Sequence, residues 1–296
     1  MSRIAPVDLA LVLAIGVFWG FNWPAVKIAL GDFQPWTLRA IGLGAGAGLL
    51  AAIAATRGED LRFPADRRGR VIAAGILSIF GFNIFAAFGQ LLTETSKAAI
   101  IAFTMPVWAM LLSALTLGER VTQAKLLALA LGMGGLTVLA AEDHWAALAR
   151  PAGAAVMLCA AVSWAAGTVL LKTLGPSSAP IARAAWMVGI SALLAAAGAL
   201  LVETPWQQTM PSTPGLTALV YHIVFPMTAC HAAWILLVAR QSVAVATLGT
   251  LLVPVVGVLS ASLILGDDLT FNRLAALALV TLAIAVALRA PGRDRR

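Results

Sequence analysis

Charged side chains make up only 11% of the 296 residues, against 61% hydrophobic, and the mean hydropathy is +0.94. Too few polar groups remain to cover a water-soluble globule, so an integral membrane protein is indicated. The only two cysteines, Cys159 and Cys230, lie inside apolar runs, and neither has a second cysteine two residues away. No cysteine metal site is therefore indicated, and disulfides carry no information about the fold. Of three histidines, His144 falls in a loop, while His222 and His231 are nine apart and on opposite helix faces, so no histidine metal cluster is expected. No Gly-x-x-x-x-Gly-Lys-Ser/Thr stretch occurs, which excludes ATP hydrolysis of the P-loop type. All thirteen Asp and Glu lie at the ends of apolar runs or between them. An intramembrane enzyme needs a nucleophile with its base, or paired acids, so the chain is not expected to be an enzyme and no cofactor or metal is implied.

What is abundant is long apolar sequence. Crossing about 30 Å of hydrocarbon takes a helix of about 20 mostly apolar residues. Cutting at charge and at Pro/Gly punctuation gives ten such stretches: 7–30, 35–56, 71–93, 97–117, 122–141, 151–172, 180–202, 215–238, 243–265 and 271–289. Runs such as 45–55 and 126–141 are apolar throughout, which a β-barrel strand of alternating pattern is not, so the expected fold class is all-α. The first stretch is too long for a signal-peptide core and reads as a retained span. The net charge of +7 does not point to nucleic acid, because the basic residues sit singly or in short connections without an extended basic face. With the N-terminus in the cytoplasm, fifteen Lys and Arg fall inside and five outside, so both termini are expected to be cytoplasmic.

The chain also repeats itself. Trp19 with Lys27 recurs as Trp164 with Lys172 at an offset of 145, and Arg39 recurs as Arg183 at 144. Pro106-Val107 precedes Gly118-Glu119-Arg120-Val121-Thr122 by the spacing at which Pro254-Val255 precedes Gly266-Asp267-Asp268-Leu269-Thr270. These anchors divide the chain into residues 1–142 and 143–296, each with five spans. Five is odd, so the second unit must enter the membrane the other way round. Such inverted repeats build alternating-access carriers with a solute site near the midplane, at the repeat interface. The halves differ where Ala165-Ala166-Gly167-Thr168 stands opposite Gly20-Phe21-Asn22-Trp23, so the cavity should be asymmetric.

The stretch Phe18-Trp19-Gly20-Phe21-Asn22-Trp23 with Lys27, the Pro106 to Gly118-Glu119 pattern, the ten-span length and the twofold repeat resemble the EamA branch of the drug/metabolite transporter superfamily. Within that branch the chain is most similar to bacterial YddG-type exporters, whose relatives are associated with efflux of aromatic amino acids and some toxic compounds. The resemblance covers nearly the whole chain. It implies an exporter in the bacterial inner membrane that moves amino acids, aromatic and other bulky apolar ones favoured, and related metabolites. Two rival readings within the superfamily are a broad drug or toxic-metabolite efflux carrier and a sugar-phosphate or nucleotide-sugar carrier. A phosphate ligand calls for Arg or Lys at the midplane, and a cationic drug for a buried carboxylate. Lys27, Lys172, Arg39 and Arg183 stand near span ends instead, which favours a zwitterionic or neutral solute.

Polar groups at mid-span must face protein or water, since an unpaired one in hydrocarbon costs several kcal/mol. On that ground the candidate substrate-binding residues are Asn22, Asn83, Thr104, Ser163 and His231, with the aromatic residues Trp19, Phe80, Trp108, Trp164 and Trp234. Asn83 and His231 match under the 148 offset. Helical spacing pairs Trp19 with Asn22, Phe80 with Asn83, Thr104 with Trp108 and His231 with Trp234, so that each polar group has a flat apolar neighbour. Each of these residues could equally pack between helices or satisfy a neighbouring backbone group. Pro106 and Pro254, at equivalent points of the fourth and ninth spans, are candidate hinges, and Lys27 and Lys172 candidate gate residues. The glycines Gly42, Gly44, Gly46 and Gly48 carry two Gly-x-x-x-Gly spacings and read as close helix packing. With no mid-span acid, proton coupling would rest on His231 or His222, and otherwise the carrier is a facilitator. Nothing in the sequence separates a monomer from a homodimer.

Overall fold

A computed structural model of the chain describes residues 5–62, 67–92, 101–141, 151–265 and 270–289. His144 and the loop anchors Gly266, Asp267 and Asp268 lie outside the described residues. A chain this apolar must satisfy its backbone groups internally, and among the described residues it does so with helices alone. They are α1 (Pro6–Ala29), α2 (Pro35–Thr56), α3 (Arg68–Gly75), α4 (Phe82–Leu92), α5 (Met105–Leu117), α6 (Gln123–Ala141) and α7 (Pro151–Thr173). The second half supplies α8 (Pro180–Val202), α9 (Thr213–His222), α10 (His231–Arg240), α11 (Val243–Gly249), α12 (Leu252–Leu265) and α13 (Phe271–Arg289). Proline opens α1, α2 and α8, where its missing N–H has no intrahelical partner to lose. Gly118, with φ 63°, ends α5 in the left-handed conformation that a side chain would disfavour.

Among the described residues seven helices are long and apolar enough to cross a membrane, counting Arg68–Leu92, Thr213–Arg240 and Val245–Ile264 as continuous, and Met105–Leu117 is a shorter apolar one. Four interruptions fall at paired places. The third stretch passes from α3 to α4 through a wide π-helical turn, Ile76–Gly81, and the eighth passes from α9 to α10 through another, Ile223–Cys230, which starts 147 residues later. The chain also breaks at Phe103–Thr104 just before α5, and at Thr250–Leu251 between α11 and α12. Pro106 therefore sits in the first turn of a helix that starts after a break, not in the middle of a kinked one, and Pro254 is the third residue of α12. Pro24 lies inside α1 and Pro226 inside the second π turn.

The helix neighbours keep a common pattern when the halves are exchanged. α2 packs on α8, and α6 on α13. α1 packs on α12 and on the Thr213–Arg240 stretch, while α7 packs on α5 and on the Arg68–Leu92 stretch. α2 and α8 run antiparallel, because each start is capped from the other's end. Glu203 accepts from the backbone N–H of Trp36 and Thr37, both at 2.8 Å, and Glu59 accepts from Ile181 and Ala182 at 2.8 and 2.9 Å. A carboxylate on the exposed N–H groups at a helix start satisfies donors the helix itself cannot. Gly42 and Gly46 turn toward the eighth stretch. A methyl group on Gly42 would lie 2.7 Å from the ring of His222, and one on Gly46 2.7 Å from Met227.

Candidate solute site

The paired interruptions surround one space. Trp19, Asn22 and Trp23 from α1, Phe82 and Asn83 from α4, Trp164 from α7, and Met227 and His231 from the eighth stretch line a cavity of about 540 Å3, a figure that includes space open to solvent. Phe103 and Met105 at the first chain break, and Thr250 and Val253 at the second, complete the wall. Non-helical backbone at membrane depth is tolerated where it borders such a cavity. Toward the start of α1 the packing is tight. Ile15 is buried, and the glycines Gly16 and Gly249 let Leu252 and Val12 approach closely. Beyond them Asp8 accepts from Arg240 at 3.3 Å and from Gln241 at 2.7 Å. Lys172 donates to the carbonyls of Val238, at 2.8 Å, and of Gln241. Its repeat counterpart Lys27 is exposed at the end of α1.

The two repeat-matched tryptophans meet. The rings of Trp19 and Trp164 are 5.2 Å apart at 79°, an edge-to-face contact, and Phe82 meets Trp164 at the same separation. Trp234 sits behind this wall, buried, 5.2 Å from Trp164 and 6.0 Å from Trp19. Asn83 and His231, the other matched pair, stand just after the two π turns and reach back into them. Asn83 Nδ2 donates to the Ile79 carbonyl at 2.9 Å, and His231 Nδ1 to the Pro226 carbonyl at 2.8 Å. The same Pro226 carbonyl accepts from Trp19 Nε1 at 3.3 Å. Donation from Nδ1 leaves His231 Nε2 as a bare acceptor, and it is buried without a hydrogen-bond partner among the described residues.

Five of the ten candidate residues thus share the cavity wall: Trp19, Asn22, Asn83, Trp164 and His231. The other five lie off it. Phe80 packs on Trp36 at 6.2 Å, Ser163 donates to the Leu77 carbonyl at 2.6 Å, and Trp234 forms the second layer. Trp108 donates to Thr104, which itself donates to the Ile101 carbonyl. In the third stretch the π turn at Ile76–Gly81 interrupts the regular spacing, and Phe82, not Phe80, lines the cavity. In the fourth stretch the break at Phe103–Thr104 likewise turns Phe103 and Met105 inward in place of Thr104 and Trp108. Of the lining residues not anticipated, Trp23 was within reach of spacing arguments, being next to Asn22. Met227, Thr250 and Val253 carry no signal separable from ordinary packing.

The profile of the EamA-like transporter family matches residues 8–141 and again residues 151–289. The chain is 28% identical over 289 residues to the "Uncharacterized transporter YvbV" of Bacillus subtilis, covering 96% of this chain and 92% of that protein. It is 27% identical over 291 residues to a "Probable amino-acid metabolite efflux pump" of Salmonella typhimurium, covering 92% of each. A solved crystal structure, 23% identical, has the same fold with a TM-score of 0.82 over 98% of this chain and all of that one. An all-helical, multi-pass architecture around a cavity and two family matches over nearly the full length agree: the chain belongs to the EamA-like transporter family, and is a membrane transporter of small molecules and not an enzyme.

Proposed function

We propose that this protein exports amino acids, aromatic and other bulky apolar ones first, together with related metabolites, from the cytoplasm across the bacterial inner membrane. The observation that carries this reading is the cavity itself: Trp19, Trp23, Phe82, Phe103 and Trp164 form a broad aromatic wall, with spare polar capacity at its edge. Asn83 Oδ1 and His231 Nε2 are acceptors, suited to the N–H groups of an ammonium. No Lys, Arg, Asp or Glu is among the described lining residues, so neither a phosphate nor a bare cation finds a counter-charge there, and a zwitterion is the better fit. The Salmonella relative's printed name points the same way.

The mechanism that fits is alternating access between two inverted five-helix units, residues 1–142 and 143–296. Its support is the family match in each half, the exchange-invariant helix neighbours, the antiparallel α2 and α8, and the paired interruptions at cavity level. With the termini cytoplasmic, the tight packing at Asp8, Arg240, Gln241 and Lys172 closes the inner side. Opening it while the far end closes completes the cycle, with the chain breaks before Pro106 and Pro254 as pivots. Both ring nitrogens of His222 are engaged, so any proton coupling falls on His231, and a facilitator is the simpler reading. The test is counterflow of labelled amino acids into proteoliposomes, with and without a pH gradient. Fastest exchange of tryptophan, phenylalanine or leucine, independent of the gradient, is expected. Absence of exchange for every amino acid would overturn the reading.

A further inference from the structure

Behind the Asn22 side of the cavity lies a buried cation. Arg39 on α2 is 3% exposed, and no described ion pair includes it. Its Nη1 lies 3.4 Å from Nε2 of His222, which is fully buried, and His222 Nδ1 lies 2.7 Å from Oδ1 of Asn22. Gly42, one turn beyond Arg39, leaves the notch into which the imidazole fits. Arg39 Nε has no partner among the described residues, so the guanidinium is not saturated by acceptors.

An arginine can only donate, and that fixes the sense of the whole series. His222 Nε2 must accept from Arg39, so its proton is on Nδ1, and Nδ1–H must donate to Asn22. The Asn22 atom that receives this proton must be its carbonyl oxygen. What remains for the cavity is the Asn22 amide, with two N–H donors and no described acceptor. A chain of hydrogen bonds that starts on a cation in low dielectric is polarised along its length, which strengthens the last donor.

We propose that Arg39, acting through His222, is a positioning residue that makes Asn22 the seat for the carboxylate, or an equivalent anionic acceptor group, of the transported solute. This rests on the cavity being the solute site. With acceptors at Asn83 and His231 and a donor at Asn22, the wall is complementary to the two ends of an α-amino acid, and the carboxylate end is imposed from behind by a charge that never touches the solute.

The test compares labelled phenylalanine with phenylalaninamide, which keeps the ammonium and ring but lacks the carboxylate, in counterflow by the full-length reconstituted protein. The wild type should prefer phenylalanine. His222→Leu breaks the series and should cut that preference about 10-fold or more. His222→Gln should retain it, because the glutamine oxygen can accept from Arg39 while its amide donates to Asn22. Asn22→Asp, nearly isosteric, replaces the inward donor with an oxygen and should remove the preference while phenylalaninamide still exchanges. If the wild type exchanges neither solute, the transport reading itself fails. If it exchanges both, and folded Asn22→Asp keeps the preference or loses the two solutes equally, the positioning role is overturned. A preference that stays unchanged in folded His222→Leu overturns that role as well.

Discussion

Removing the indole of Trp164 separates an aromatic-lined solute site from a merely packed bundle. Trp164 is 4% exposed and touches three rings, Trp19, Phe82 and Trp234, each at 5.2 Å. A buried Trp→Ala change costs about 3–5 kcal/mol in stability, and the lost ring contacts account for a good part of it at about 0.5–1.5 kcal/mol each. A solute ring in the cavity would lose one such partner too. The same 0.5–1.5 kcal/mol, lost only by aromatic solutes, lowers their exchange relative to aliphatic ones by about 2- to 12-fold. Aliphatic side chains meet a larger, still apolar space and should lose less or gain. The assay is counterflow of labelled tryptophan against labelled leucine in proteoliposomes, with size-exclusion profile and thermal midpoint as controls on folding. Trp164→Leu, which keeps part of the apolar volume but not the ring, provides the same comparison where the alanine variant is too unstable to purify. A tryptophan-to-leucine ratio unchanged in a folded variant would refute the aromatic-wall argument.

Asn83→Ala and His231→Ala should each slow exchange of ammonium-bearing solutes by about 10-fold or more while leaving folded yield intact, since hydrogen bonds to charged groups are worth about 1.5–3 kcal/mol; normal flux in both variants would reject their role. Glu59→Ala and Glu203→Ala should each lower stability by about 0.5–2 kcal/mol, and nearly additively, because the two caps sit at opposite ends of the α2–α8 pair. Thermal denaturation measures this, and solute ranking should not move. Asp8→Asn loosens the tie to Arg240 and Gln241, and should raise maleimide labelling of an Ile15→Cys reporter from the side of the chain ends by up to about fivefold.

The helical stretches were legible because hydrocarbon imposes one rule on all of them, and α1, α2, α8 and α13 begin and end within a residue or two of the positions that apolar run length implies. Trp19 with Trp164, and Asn83 with His231, were legible as pairs because duplication preserves position even where chemistry drifts. Rotation was not. Phe80 and Phe82 are both aromatic and two residues apart, and regular spacing does not tell which one lines the cavity where the chain passes through the π turn at Ile76–Gly81. Its cause is distributed over the packing of α7, where Gly167 admits Ser78 and Ser163 reaches the Leu77 carbonyl, and no local motif announces it. Arg39 was placed near a span end by its distance along the chain, which is correct, yet its engagement of His222 depends on a residue 183 positions away.

On the proposed inverted-repeat reading, duplication by itself would give a poor site for an asymmetric solute. A twofold-related pair of halves presents equal groups at both ends, whereas an amino acid needs donors at one end and acceptors at the other. The departures between the halves supply that difference. Opposite Asn22, at an offset of 145, stands Gly167, packed so closely on Ser78 that even a methyl group would collide. Opposite His222, at 147, stands Gly75, which admits the backbone of Met187 where its counterpart holds an imidazole. Opposite Arg39, at 144, Arg183 donates to the Gly175 carbonyl at 2.8 Å, at the end of α7. Among the described residues the donor series therefore exists once, joining Arg39 and Asn22 of the first half to His222 of the second, while the tryptophans at Trp19 and Trp164 and the acceptor-bearing groups at Asn83 and His231 occur in both halves. On the reading proposed above, the repeat accounts for the apolar chamber and the matched chain breaks beside it, and its local loss gives the chamber a direction.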